Sequence, residues 1–123
     1  ALRVLLAEDD TQVAELVEAM LRDLGHQVRV AEHAEAALEV LRTHEPVDLL
    51  LTDLIMPGDK SGVDLAREAV SLRPGLPVIL SSGYTGEVLS AAEETPWPLL
   101  RKPYSSDQLA RTIAEVAKAA QAA

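Results

Sequence analysis

Five short apolar runs alternate along this chain with stretches whose apolar residues recur at helical spacing, and that alternation limits the possible folds more than any other feature. Arg3-Val4-Leu5-Leu6-Ala7 reads as a buried strand. Val13, Leu16, Val17, Met20, Leu21 and Leu24 then mark one face of a helix, and Gly25 stops it. Gln27 to Ala31 is the next strand, and Ala34, Ala37, Leu38 and Leu41 form the stripe of the next helix. Pro46 closes that unit, and Val47-Asp48-Leu49-Leu50-Leu51-Thr52 is the third strand. Pro57-Gly58 and Ser61-Gly62 are loop signals, and a helix from Val63 to Arg73 breaks at Pro74-Gly75. A strand from Pro77 to Ser81, a helix over Thr85 to Glu94, a short strand from Pro98 to Arg101 and a closing helix from Ser105 to Ala120 complete the pattern.

Strands that alternate with helices imply an α/β fold in which helices cover both faces of a parallel sheet. The expectation is a doubly wound, five-stranded parallel sheet with five helices and right-handed crossovers. No repeat, low-complexity tract or internal linker interrupts the 123 residues, so residues 1–123 read as one domain.

Composition removes several function classes. Net charge is −9, the eleven Lys and Arg are scattered, and Trp97, Tyr84 and Tyr104 are the only aromatics. Such a chain lacks the basic footprint and the stacking platforms of nucleic-acid binding. No apolar run reaches the length of a membrane span, and Ala1-Leu2-Arg3 leads into a strand with no sign of a signal peptide. The absence of cysteine rules out thiolate chemistry and suits a reducing cytoplasm.

In open parallel sheets, binding groups collect beyond the carboxyl ends of the strands. Glu8, Asp9 and Asp10 follow the first strand, Asp53 the third, Ser82 the fourth and Lys102 the fifth. Carboxylates brought onto one rim repel each other, and a hard divalent cation relieves that repulsion. An oxygen-only ligand set suits Mg²⁺ better than Zn²⁺. An ionised Asp53 beside such a cation could attack phosphorus, with the cation and Lys102 neutralising the transferring group.

Four segments taken together carry a family likeness: Val4-Leu5-Leu6-Ala7-Glu8-Asp9-Asp10, Leu51-Thr52-Asp53-Leu54-Ile55-Met56-Pro57-Gly58, Ser81-Ser82-Gly83 and Lys102-Pro103-Tyr104. In this order and spacing the chain resembles response-regulator receiver domains of two-component signalling. The resemblance implies a flavodoxin-like sheet of strand order 2-1-3-4-5. It implies that Asp53 accepts phosphate from a histidine kinase or a histidine phosphotransfer domain, with Mg²⁺ as cofactor. Asp9 would bind the metal directly, Glu8 through a water, and the Ile55 carbonyl would add a ligand beside Asp53. Ser82 would hydrogen-bond a phosphoryl oxygen, Lys102 would pair with the phosphate, and the Lys102–Pro103 bond would be cis. Gly83 would spare the phosphate a crowding side chain, and Ile55 and Tyr84 would flank the approach of hydrolytic water. A homodimer is compatible with the resemblance.

Some readings stay open at this level. Asp10, nearest the first helix, suits a cap better than a metal, and Ser81 competes with Ser82 as the switch hydroxyl. His26, His33 and His44 share no ligand spacing and suit surface positions. Trp97, between two prolines, is either local packing or a partner contact. Leu99 stands where better-known receivers carry an aromatic that reorients on activation. Ser81-Ser82-Gly83-Tyr84, Thr95-Pro96-Trp97-Pro98 and the Ala-rich finish resemble the receivers of hybrid sensor kinases, and the start at Ala1 suggests an excised segment. Among rivals, a haloacid-dehalogenase phosphatase needs an Asp where Ile55 stands. A nucleotide-binding module needs a Gly-rich loop after the first strand. A degenerate receiver used only for docking would not need Asp9, Asp53 and Lys102 intact.

Overall fold

The computed structural model describes residues 1–58, 60–83 and 95–122. Nine elements follow one another: β1 (Arg3–Ala7), α1 (Thr11–Asp23), β2 (Gln27–Ala31), α2 (Ala34–Arg42), β3 (Leu49–Asp53), α3 (Gly62–Leu72), β4 (Val78–Ser82), β5 (Leu99–Arg101) and α4 (Ser106–Ala122). The strands form one parallel sheet in the order β2-β1-β3-β4-β5. The strand order and parallel sheet are as expected. The helix number is corrected: the described residues hold four helices, not five. The segment expected to form the other, Thr85–Glu94, lies outside the described residues.

The sheet is buried on both sides because the central strands carry consecutive apolar residues, Val4 to Ala7, Leu49 to Leu51 and Val78 to Leu80. Successive side chains point to opposite faces, so Leu5, Leu50 and Leu80 enter a core beneath α2 and α3. Val4, Leu6, Leu49 and Leu51 enter a second core with Leu21 of α1 and Leu109 and Ile113 of α4. Trp97 and Leu99 pack half-buried against the first core, which supports the local-packing reading of Trp97.

The third strand starts at Leu49 rather than Val47, because Asp48 is turned to another task. Its carboxylate accepts from the Arg3 backbone N–H at 2.8 Å and from Arg3 Nε at 3.0 Å. Helix starts follow side-chain chemistry. Asp10 caps α1 by accepting from the N–H groups of Gln12 and Val13, the role its position suggested. Ser61 and Asp64 form a reciprocal capping box at the start of α3. Of the histidines, His33 caps α2 through Nδ1, and the half-buried His26 accepts from the Leu2 N–H. Among the described residues, no helix is long and apolar enough to cross a membrane.

Candidate functional site

Parallel strands end on the same side of the sheet, so the rim beyond β1, β3, β4 and β5 gathers residues far apart in sequence. Glu8 and Asp53 are buried there, Asp9 is exposed, and one oxygen from each lies within 4.8 Å of the others. Lys102, just past β5, reaches in across the rim. Its Nζ sits 2.6 Å from Glu8 Oε1 and 3.3 Å from Asp53 Oδ2. The other Glu8 oxygen accepts from the Asp10 N–H at 3.2 Å. Glu8 is therefore engaged at both oxygens, whereas Asp53 Oδ1 is buried without a hydrogen-bond partner.

The charge at this rim is unbalanced, with three carboxylates facing one ammonium. Burial pushes the Asp53 carboxyl up from its ordinary 3.8 to about 6, and Glu8 adds to the rise. Lys102 and the Ile55 backbone N–H oppose it. Burial by itself would lower the Lys102 ammonium, but Glu8 and Asp53 outweigh burial and hold it above its usual value. Burial also raises the Tyr104 phenol, helped by Glu8 and Asp53, so that group stays neutral beside the acids.

A prediction follows for the metal-free protein. Asp53 binds its proton more tightly folded than unfolded, so its contribution to stability falls as pH rises from about 4 through about 6. Asp53→Asn should remove that penalty. Discounted for screening at the rim, the gain at pH 8 is about 1 kcal/mol, or about 4 °C in Tm. Urea melts should show the gain vanish by pH 4 and shrink when Mg²⁺ is added. A variant less stable than wild type at pH 8 without metal would contradict the charge imbalance.

The residues at the rim fit a hard divalent cation. Three carboxylates bring only oxygen donors, and the orphaned Asp53 Oδ1 is a buried acceptor that a cation would satisfy. Such a cation would also offset the excess negative charge. The Glu8–Asp9–Asp53 group is thus a credible Mg²⁺ centre.

The remaining expected residues sit close by. Ser82 ends β4, fully buried, and its carbonyl accepts from the Lys102 N–H at 2.9 Å, which ties the ends of β4 and β5 together. Ser81 points the other way along the pleat, its hydroxyl 3.5 Å from the Thr52 carbonyl. The Lys102–Pro103 bond is cis. The Ile55 side chain is 40% exposed beside the acceptor. Tyr84, paired with Ile55 in the sequence reading, lies outside the described residues. A methyl at Gly83 would meet only the Lys102 Cβ, at 3.9 Å, so the described fold does not itself demand glycine there.

Two features escaped the sequence reading. Gly62, taken only as a loop signal, lies against the backbone of Asp53. An apolar cavity of about 320 Å³ also opens beside Lys102, lined by Val13, Leu16, Val17, Met20, Pro103 and Tyr104. The helical stripe of α1 was legible, but its 63% exposed Leu16 was not, because a stripe does not say which of its members the neighbours cover.

The chain matches the family model for the response regulator receiver domain over residues 4–114. It belongs to that family. The response regulator receiver protein CpdR of Brucella abortus is 32% identical over 120 residues, which cover 96% of this chain and 98% of CpdR. A response regulator receiver protein from Sinorhizobium medicae superposes with a TM-score of 0.88 at 27% identity, covering 98% and 97% of the two chains. The receiver domain of the hybrid histidine kinase CckA gives 0.77 at 30% identity, covering 94% and 98%. Other relatives are longer: the chain spans 29% of the Arabidopsis thaliana response regulator ARR14, at 35% identity over 88% of its own length. As a receiver domain it is a signalling phosphoacceptor that promotes its own phosphoryl transfer, and the acidic cluster is the Mg²⁺-dependent phosphoacceptor site of that family.

Proposed function

We propose that residues 1–123 act as one receiver domain in which Asp53 is the acceptor, Lys102 and Ser82 stabilise the phosphoryl group, and Asp9, Glu8, Asp53 and the Ile55 carbonyl hold Mg²⁺. The observation that carries this reading is the state of the Asp53 carboxylate. One oxygen is tethered to Lys102, the other is buried and unpartnered, and the carboxylate lies within reach of those of Glu8 and Asp9.

The chemistry divides among these residues. A carboxylate oxygen of Asp53 forms the bond to phosphorus while the bond from phosphorus to the donor breaks. With a phosphohistidine donor, the electron pair stays on the imidazole nitrogen, which takes up a proton. Lys102 moves from its carboxylate partners toward the new negative charge on the phosphoryl oxygens. The Ser82 hydroxyl donates to one of those oxygens, and Ser81 is already directed elsewhere. When bound, Mg²⁺ supplies Lewis-acid neutralisation of the phosphoryl oxygens. Leu99 packs against the core where an aromatic would swing in other receivers, so the switch from Ser82 has no aromatic partner at that position.

The donor in this reading is a histidine kinase or a histidine phosphotransfer domain, and the setting is the cytoplasm. The likeness to the CckA receiver supports a place in a hybrid sensor kinase. A docking-only receiver is disfavoured, because nothing would maintain the buried, electrostatically costly acceptor. Incubation of the intact chain with acetyl phosphate and Mg²⁺ tests the reading: one phosphoryl group should be added, and none when the metal is chelated.

The two metal-side acids should differ in effect. Glu8 is committed to Lys102 and the Asp10 N–H, whereas Asp9 is exposed and free of such ties among the described residues. Asp9→Ala should therefore weaken Mg²⁺ about tenfold or more, and Glu8→Ala less. Calorimetric titration of the two variants decides the order, and equal losses would refute it.

A further inference from the structure

Gly62 opens α3, and its backbone rests on the peptide of the acceptor. A Cβ at this position would overlap the Asp53 carbonyl oxygen, and would lie 2.8 Å from the Asp53 carbonyl carbon and 2.9 Å from the Leu54 Cα. All three are backbone atoms, so no flexible side chain could swing aside. The demand for glycine is steric rather than conformational, since positive φ occurs at Gly25, Gly58 and Gly75 but not at Gly62. The Gly62 N–H also donates to the Leu54 carbonyl at 2.8 Å, closing the loop after Asp53 at its neck. The capping box between Ser61 and Asp64 then fixes where the helix begins.

We propose that Gly62 is a positioning residue for phosphoryl transfer, seating the first turn of α3 on the Asp53–Leu54 peptide and so aiming the Asp53 carboxylate at Glu8 and Asp9. The proposal rests on the reading of Asp53 as acceptor and metal ligand. A methyl at Gly62 must drive the helix and the Asp53 peptide apart, because neither can yield locally. The carboxylate is carried by that peptide and shifts with it. Mg²⁺ demands near-octahedral geometry at about 2.0–2.1 Å, so a displacement of even part of an ångström disturbs the ligand set.

The test compares Gly62→Ala with Ala69→Gly in the full chain. Ala69 is buried in the same helix, two turns further on, and its replacement loosens α3 without touching the acceptor. Mg²⁺ affinity is read from amide shifts, and stability from thermal melts. Gly62→Ala should lose about tenfold or more in Mg²⁺ affinity, as supporting residues of metal sites commonly do. Ala69→Gly should lose stability but keep the wild-type affinity. Wild-type affinity in Gly62→Ala would overturn the proposal, and so would equal losses in both variants, which would indicate general loosening. If Gly62→Ala does not fold, the double variant Ser61→Ala with Asp64→Ala frees the first turn instead. It should bind Mg²⁺ more weakly than wild type, and unchanged affinity would overturn the proposal. Acetyl-phosphate labelling of the wild type separates this from the underlying reading, since an unlabelled Asp53 would defeat that reading whatever the variants do.

Discussion

Asp53→Asn is expected to abolish phosphoryl labelling altogether. The substitution keeps the size and planarity of the side chain but replaces an anionic oxygen nucleophile with an amide. Asp53 is also the one acid at the rim with a buried oxygen left unpartnered, whereas Glu8 has both oxygens engaged. Neither Glu8 nor the exposed Asp9 should therefore take over. Intact-mass measurement after acetyl phosphate and Mg²⁺ should show one added phosphoryl group on the wild type and none on the variant. Because the same variant should be more stable without metal, loss of labelling cannot be blamed on unfolding. Labelling of Asp53→Asn at the wild-type rate would remove Asp53 from the acceptor role.

Lys102→Ala should separate metal binding from phosphorylation. In the metal-free domain the ammonium serves as the internal counter-ion of Glu8 and Asp53, at 2.6 and 3.3 Å. It competes electrostatically with an incoming cation, so its removal should raise Mg²⁺ affinity, by about tenfold if a few kcal/mol of repulsion is partly screened. Its removal also deprives the transferring phosphoryl group of a preorganised positive charge. Loss of a single such donor typically costs about 10²–10³ in rate. Labelling should slow by about that factor while the metal binds more tightly. The metal-free variant should be about 3 kcal/mol less stable, because Glu8 is left buried without its partner, and Mg²⁺ should restore much of the loss. A large fall in Mg²⁺ affinity would mean that Lys102 supports the metal rather than competing with it.

Much of this molecule was legible from local pattern. The run Leu49-Leu50-Leu51 is apolar at consecutive positions because one face of β3 meets α2 and α3 while the other meets α1 and α4. Strand-end position was enough to nominate Glu8, Asp9, Asp53, Ser82 and Lys102, since parallel strands must deliver their carboxyl ends to one rim. Asp10 was separated from its acidic neighbours by nearness to the helix start, and it does cap α1. The helix number differs from the expectation: Thr85–Glu94, assigned by its place in the cycle, lies outside the described residues, which hold four helices.

By itself, then, the sequence determined the alternation of elements, the parallel sheet and the identity of the acids and lysine at its rim. These depend on the character of residues a few positions apart. Only the tertiary structure decided which charges pair, and how. Lys102 is 94 residues from Glu8 and meets it more closely than it meets Asp53, a consequence of how β1, β3, β4 and β5 lie side by side. It alone shows Asp53 Oδ1 left unpartnered, the carboxyl pushed up to about 6, and Gly62 seated against the acceptor's peptide. Burial, pairing and close approach are set by what lies across the sheet, and no periodicity along a single strand or helix encodes them.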